Sequence, residues 1–184
     1  MNQCRISPLD PPYDEKTQEL FDLVMPPGKE PLNLFRTLAT NRRIFPRFMR
    51  AGVLDRGPVP ILDRELVIQR TTARCGSEYE WGVHVTAFAR PLQIPNEIVA
   101  ASVTAAFDDP LWTPRQSVLI RLCDELHDTG TIADELWEAL EAHFNPQQIV
   151  ELIYLVGMYH TVSFLANGLQ VELEEDAERF PGQA

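Results

Sequence analysis

Apolar residues recur along this chain at the three- and four-residue spacing of helices, and prolines stand mostly between the periodic stretches. The pattern predicts a helix from Asp14, its cap, to Val24, stopped by Met25-Pro26-Pro27-Gly28. Pro31 opens a short helix through Leu38, and Asn41 caps another through Leu54. Arg56-Gly57-Pro58-Val59-Pro60 then breaks the chain. Asp63 is the expected cap of a helix reaching Arg74 and ended by Gly76. Ser77 caps the next, with Glu80 at its third position completing a capping-box signature, and Pro91 ends it. Further helices are expected from Pro95 to Ala106, from Thr113-Pro114 to His127, and from Thr131 to His143. The last and longest begins at Asn145-Pro146 and closes at Asn167-Gly168. Strand alternation is weak throughout. The prediction is an all-α protein.

One stripe of this pattern is not apolar. If the segment after Gly76 is helical, Ser77, Glu80, Trp81 and His84 fall at i, i+3, i+4 and i+7 on a single face. Glu80 and His84 are one turn apart, within reach of each other. Glu65 sits on the preceding helix, which the Gly76 break folds back alongside. A carboxylate and an imidazole are costly to bury without a partner, so the stripe is the first candidate for chemistry. The structural reading competes with it: Glu80 as the capping partner of Ser77, Glu65 as a first-turn acid favoured by the helix dipole, Trp81 as core.

Composition narrows the field. With 184 residues, 45% apolar and 23% charged, the chain is of single-domain size and can bury a sizeable core. A net charge of −11 argues against nucleic acid and anionic membrane surfaces as partners. Residues 1–30 read as an N-terminal extension and 172–184 as a solvated acidic tail carrying Glu172, Glu174, Glu175, Asp176 and Glu178. Cys4, Cys75 and Cys123 are odd in number with no C-x-x-C, so neither a disulfide framework nor a zinc cluster is expected. The N-terminus has no apolar signal region, and the longest apolar run, Leu152–Met158, is short for a bilayer. The expected location is the cytoplasm. His127, His143 and His160 show no partner pattern, although His160 is placed to line the same cavity as the stripe.

The residues R-E-L-V-I-Q-R from Arg64 and G-S-E-Y-E-W-G-V-H from Gly76 resemble the carboxymuconolactone decarboxylase family, which includes the alkylhydroperoxidase D-like proteins. The likeness extends more loosely to the long last helix, with Y-H-T-V-S-F-L-A-N-G-L from Tyr159. It implies an alkylhydroperoxidase D-like helical bundle and a homo-oligomer. The peroxidase branch of that family carries a Glu, a C-x-H-C and a His. Glu65 and His84 match the first and last; Ser77 and Glu80 stand in the two cysteine positions and Tyr79 in the intervening one. Serine and glutamate cannot run a thiol–disulfide cycle. The resemblance is therefore to the branch without the paired cysteines.

That branch implies acid–base chemistry on a small carboxylated lactone or enolisable acid, with decarboxylation as the family's named reaction. Glu65, Glu80 and His84 are the catalytic candidates, His84 as proton donor because its ordinary pKa lies near neutrality. Ser77, Tyr79 and Trp81 are candidates to line the substrate, Ser77 or Tyr79 donating to an enolate oxygen. Arg70 and Arg74, one turn apart, are candidates to receive a carboxylate. No cofactor is called for and no metal, although carboxylates with imidazole at Glu65, Glu80 and His84 would suit iron or zinc. The alternatives are a thiol peroxidase using Cys75 with an external resolving thiol, and a ligand-binding protein that keeps the fold without the chemistry.

Overall fold

The computed structural model describes residues 4–51 and 57–182, and among them the regular structure is helical throughout. In chain order the α-helices are α1 (Glu15–Asp22), α2 (Asn33–Leu38), α3 (Phe45–Met49), α4 (Ile61–Arg74) and α5 (Glu78–His84). They are followed by α6 (Asn96–Thr104), α7 (Pro114–Thr129), α8 (Asp134–His143) and α9 (Pro146–Leu169), with a π-helical turn at Val85–Ala89. The expected extension of the helix after Asn41 to Leu54 lies partly outside the described residues. Asn41 itself caps only a turn, accepting from the amides of Arg43 and Ile44.

Helix ends follow local chemistry where a side chain can reach the free amides. Asp14 accepts from the Thr17 amide, and Thr113 and Asn145 each form a complete capping box, with Gln116 and Gln148 respectively. Two expected caps are absent. Helix α4 begins at Ile61 rather than at Asp63, whose carboxylate instead pairs with Arg115, 2.7 Å away. Ser77 stands at the cap position of α5, but its hydroxyl is buried without a hydrogen bond and Glu80 does not fold back onto it. The capping box read from the sequence does not form.

Helix α4 is the axle of the bundle, packed against α5, α6, α7 and α9. Every residue from Arg64 to Thr72 is buried, so α4 has no solvent face along that stretch. Val67 and Ile68 meet Leu119, Ile120 and Leu122 of α7 and Leu152, Leu155 and Tyr159 of α9 in the main core. A smaller cluster gathers Trp81, Val85, Ala89 and Val99 where α5, the π-turn and α6 meet. Helix α9 runs 24 residues, far beyond the apolar run that marks its centre, and by length and composition it could cross a membrane. Here it is a core helix, with Leu152, Val156, Tyr159, Val162 and Ala166 buried along one side.

The C-terminal segment is docked rather than solvated. Glu174 accepts from the Tyr79 hydroxyl and from the Asn33 amide, Arg179 pairs with Glu78, and Phe180 packs on Trp81. This segment passes so close over α5 that a Cβ on Gly82 would lie 2.1 Å from the Glu178 carbonyl oxygen. Only glycine fits there. The acidic residues that look like a frayed end supply several of the contacts that cover α5.

Candidate active site

Polar side chains on a buried α4 are costly unless partnered, and two of its charged residues are well paired. Arg70 makes a two-point pair to Asp124, at 2.7 and 2.8 Å, and donates to the carbonyls of Ser102 and Ala105. Glu65 finds its partner across the α4–α5 junction. Gly76 adopts a φ of +61°, the left-handed region glycine favours, and turns the chain so that α5 crosses back over α4. This brings His84, the last residue of α5, to Glu65, with Nδ1 and Oε2 2.9 Å apart.

The other ring nitrogen of His84 is also engaged. Its Nε2 is 2.9 Å from the Tyr159 hydroxyl, delivered by α9, and 3.5 Å from Oε1 of Glu80, one turn back on α5. Phe88, on the π-turn, stacks on one face of the imidazole at 5.0 Å, and the Tyr159 ring meets it edge-on at 5.1 Å. The π-turn starts directly after His84, a placement often found at functional sites. Glu65, His84 and Tyr159 are all at most 2% exposed, whereas Glu80 reaches 8% and forms the outward edge of the group.

Burial opposes charge on His84, but the Glu65 and Glu80 carboxylates outweigh it and push its pKa up to about 9. At neutral pH the ring is therefore an imidazolium, with Nδ1–H donating to Glu65 and Nε2–H facing the Tyr159 oxygen and Glu80. Burial pushes the Tyr159 phenol well above its ordinary value, with Glu80 and Glu65 adding to it and Arg64 opposing. Tyr159 thus stays protonated. Its oxygen accepts from His84, and among the described residues its own proton has no acceptor, so that O–H is free to donate to a bound molecule.

Two further groups bear on the site. Arg64, beside Glu65 on α4, is 7% exposed and forms no ion pair among the described residues; its Nη2 is buried and unpartnered. Its charge is near enough to act on the Tyr159 phenol. An orphaned buried guanidinium nitrogen is a ready partner for an anion. Neither Arg64 nor Tyr159 stood out in the sequence. Tyr159 is 75 residues from His84 with no local spacing to betray it, and Arg64 was overshadowed by the more regular Arg70/Arg74 pair.

The structure assigns other work to several residues expected to bind substrate. The Arg70 guanidinium is consumed by Asp124 and carbonyls, and Arg74 pairs with Asp128 and Asp124. The Tyr79 hydroxyl donates to Glu174 and accepts from the Leu34 amide, which makes it a latch for the C-terminal segment. The Trp81 indole donates to the Ser102 hydroxyl within the core. Ser77 is buried and unpartnered. Cys75 sits at the far end of α4, about 15 Å along the helix axis from Glu65. Its thiol is not bonded to another cysteine and its pKa is raised, chiefly by burial. His160 turns to His127, away from the stripe. A cavity of about 650 Å³ opens beside Tyr79, Asn167 and Arg179, and neither Glu65, Glu80, His84 nor Tyr159 lines it.

Neither a protein-family profile nor a curated protein sequence matches the chain. Solved structures do. An uncharacterized peroxidase-related protein from Silicibacter sp. TM1040 superposes with a TM-score of 0.79 at 17% identity, covering 96% of both chains. A second peroxidase-related protein, an alkylhydroperoxidase AhpD core from Ralstonia eutropha JMP134, gives 0.78 at 17% identity, over 93% of this chain and 94% of that one. The debrominase Bmp8 gives 0.77 at 10% identity, over 93% and 92%. The chain has the alkylhydroperoxidase D-like fold.

Proposed function

We propose that this protein is a cofactor-independent acid–base enzyme acting on a small carboxylated lactone or enolisable acid, most simply by decarboxylation followed by protonation of carbon. The observation that carries the reading is the buried line Glu65–His84–Tyr159 with Glu80 at its outer edge. It holds a charged proton donor and a phenol with a free O–H, and it contains no thiol.

In this reading Arg64 receives a substrate carboxylate. Loss of carbon dioxide leaves its bonding electron pair in an enolate, whose oxygen accepts from the Tyr159 hydroxyl, itself braced by the His84 imidazolium. His84 Nε2–H then supplies the proton to the enolate carbon, directly or through Glu80, and solvent restores it by way of Glu80 at the outward edge of the group. Glu65 keeps the ring oriented throughout and favours its return to the charged form once the proton has been given up. Arg64 and Tyr159 take the roles that Arg70, Arg74 and Tyr79 cannot fill.

The thiol-peroxidase alternative rests on Cys75, whose sulfur lies 3.9 Å from Nδ1 of His127. Burial raises its pKa, which disfavours the reactive thiolate. The test is a panel of carboxylated lactones and β-keto acids in D₂O, followed by NMR for carbon dioxide loss and deuterium at the vacated carbon. Turnover that disappears in H84Q and persists in C75S supports the proposal. Turnover of hydroperoxides that disappears in C75S, with no deuterium incorporation, would overturn it.

A further inference from the structure

A second cluster of histidines lies at the opposite end of α4. Cys75 caps the C-terminus of α4, His127 stands in the last turn of α7, and His160 lies in the middle of α9. The Cys75 sulfur is 3.9 Å from His127 Nδ1, which is 3.0 Å from His160 Nε2. All three donor atoms fall within 4.8 Å of one another. We propose that Cys75, His127 and His160 form a three-ligand site for a transition-metal ion of the zinc class, with the fourth position open to solvent.

The distances suit the ion. Tetrahedral zinc, with a thiolate at ~2.3 Å and imidazoles at ~2.0 Å, sets its sulfur and nitrogen ligands about 3.5 Å apart and its nitrogens about 3.3 Å apart. The Cys75–His127 and His127–His160 separations need to change by only a few tenths of an ångström to reach those values, and the remaining one, Cys75 to His160, is within 4.8 Å. The donor set is of the right kind too, a soft thiolate with two borderline imidazoles.

The surroundings are those of a supported ligand set. His160 Nδ1–H donates to the Val156 carbonyl at 2.9 Å, which fixes the tautomer that turns the Nε2 lone pair toward the cluster. Asn167 holds the Cys75 carbonyl, fixing the backbone from which the sulfur projects. Ser163, fully buried one turn beyond His160, has a hydroxyl with no hydrogen-bond partner of its own and lies beside the Cys75 sulfur, placed to donate to a thiolate. Arg74 also acts on His127, and its charge is offset by Asp124 and Asp128, with which it pairs. Cys75, His127 and His160 are each half-buried, so an ion can enter and keep a water. Three protein ligands with an open position is the arrangement of a reactive or exchangeable zinc rather than of a closed structural one. The site also joins the C-terminal ends of α4 and α7 to the middle of α9, and a bound ion would hold the Cys75 sulfur as a metal thiolate.

The experiment is a titration of tag-free full-length protein with Co²⁺ and Zn²⁺. One equivalent of Co²⁺ should produce a thiolate-to-cobalt charge-transfer band with tetrahedral d–d bands, Zn²⁺ should displace it, and Zn²⁺ should raise the melting temperature. C75S and H160Q should each abolish the band, while C4S and H143Q leave it intact. H160Q, at a half-exposed position, serves if C75S fails to fold. S163A should keep the band and weaken the ion by about tenfold, as loss of an outer hydrogen bond does. Absence of a charge-transfer band at saturating Co²⁺, or a band of equal strength in H160Q, would overturn the assignment.

Discussion

The two ends of α4 each hold a histidine in contact with other polar side chains, and they treat it in opposite ways. At the N-terminal end His84 lies between Glu65 and Glu80, dry and stacked under Phe88, and its pKa rises to about 9. At the C-terminal end burial, Arg74 and His160 lower the pKa of the half-buried His127, with Asp128 and Asp124 opposing. The residue type is the same in both places. Carboxylates in contact make a proton donor of one ring, while burial, with a neighbouring guanidinium and a second imidazole, keeps the other neutral. One helix thus separates acid–base equipment from metal-ligating equipment.

The largest effect expected from breaking this contrast is on turnover. H84Q keeps a polar side chain at the buried site but removes the transferable proton, and it should lower the proposed decarboxylation by about 10³-fold with the fold retained by circular dichroism. In the intact protein the proposed turnover should fall as pH rises through about 9, where His84 loses its charge. Y159F removes the free phenolic O–H and should cost about 10²-fold in kcat with KM little changed, since the donor acts on the enolate rather than on the bound acid. The matching changes at the other end, H127Q and H160Q, should leave turnover within about twofold, the scatter of a remote substitution.

Stability offers a further test of the same contrast. The folded His84 pKa lies above the unfolded value of 6.5, so its contribution is complete below pH 6.5 and is lost as pH rises through about 9. That contribution is on the order of 3 kcal/mol. E65Q removes the partner of a buried charge and should lower stability by a similar amount near neutrality while flattening the loss between pH 7 and 9, read from urea unfolding at several pH values.

The sequence reading of this end of the molecule went far because its geometry is local. Gly76 between two helices and the spacing of Glu80 and His84 suffice to set Glu65 on a helix beside the His84 stripe and to leave Glu65 or Glu80 as its partner, since a helix repeats every 3.6 residues and a left-handed glycine reverses its direction. Tyr159 and Arg64 were illegible for the opposite reason. Tyr159 arrives from a helix that packs only in the tertiary fold, and an unpaired guanidinium is recognised only when its neighbours are known. The C-terminal acids misled because their charge suggests solvation, whereas Glu174 and Glu178 are spent on Tyr79, Asn33 and Arg90. The Cys75–His127–His160 cluster has no sequence signature at all, its members lying 52 and 33 residues apart.

The smallest effect separates the cap reading of Ser77 from its observed state. A capping serine replaced by alanine costs about 1 kcal/mol. Here the hydroxyl is buried without a partner, so S77A should change stability by no more than about 0.5 kcal/mol and could raise it slightly, measured by chemical unfolding.

The central claim, that Glu65 and Glu80 hold His84 as a buried imidazolium, is tested most directly by an NMR titration of the histidine ring nitrogens and Cε1 across pH 5 to 10. The account predicts that His84 keeps both ring protons at neutral pH and titrates near pH 9, that E65Q brings its pKa down, and that His127 titrates below 6.5. A His84 that is neutral at pH 7 in the intact protein would contradict it.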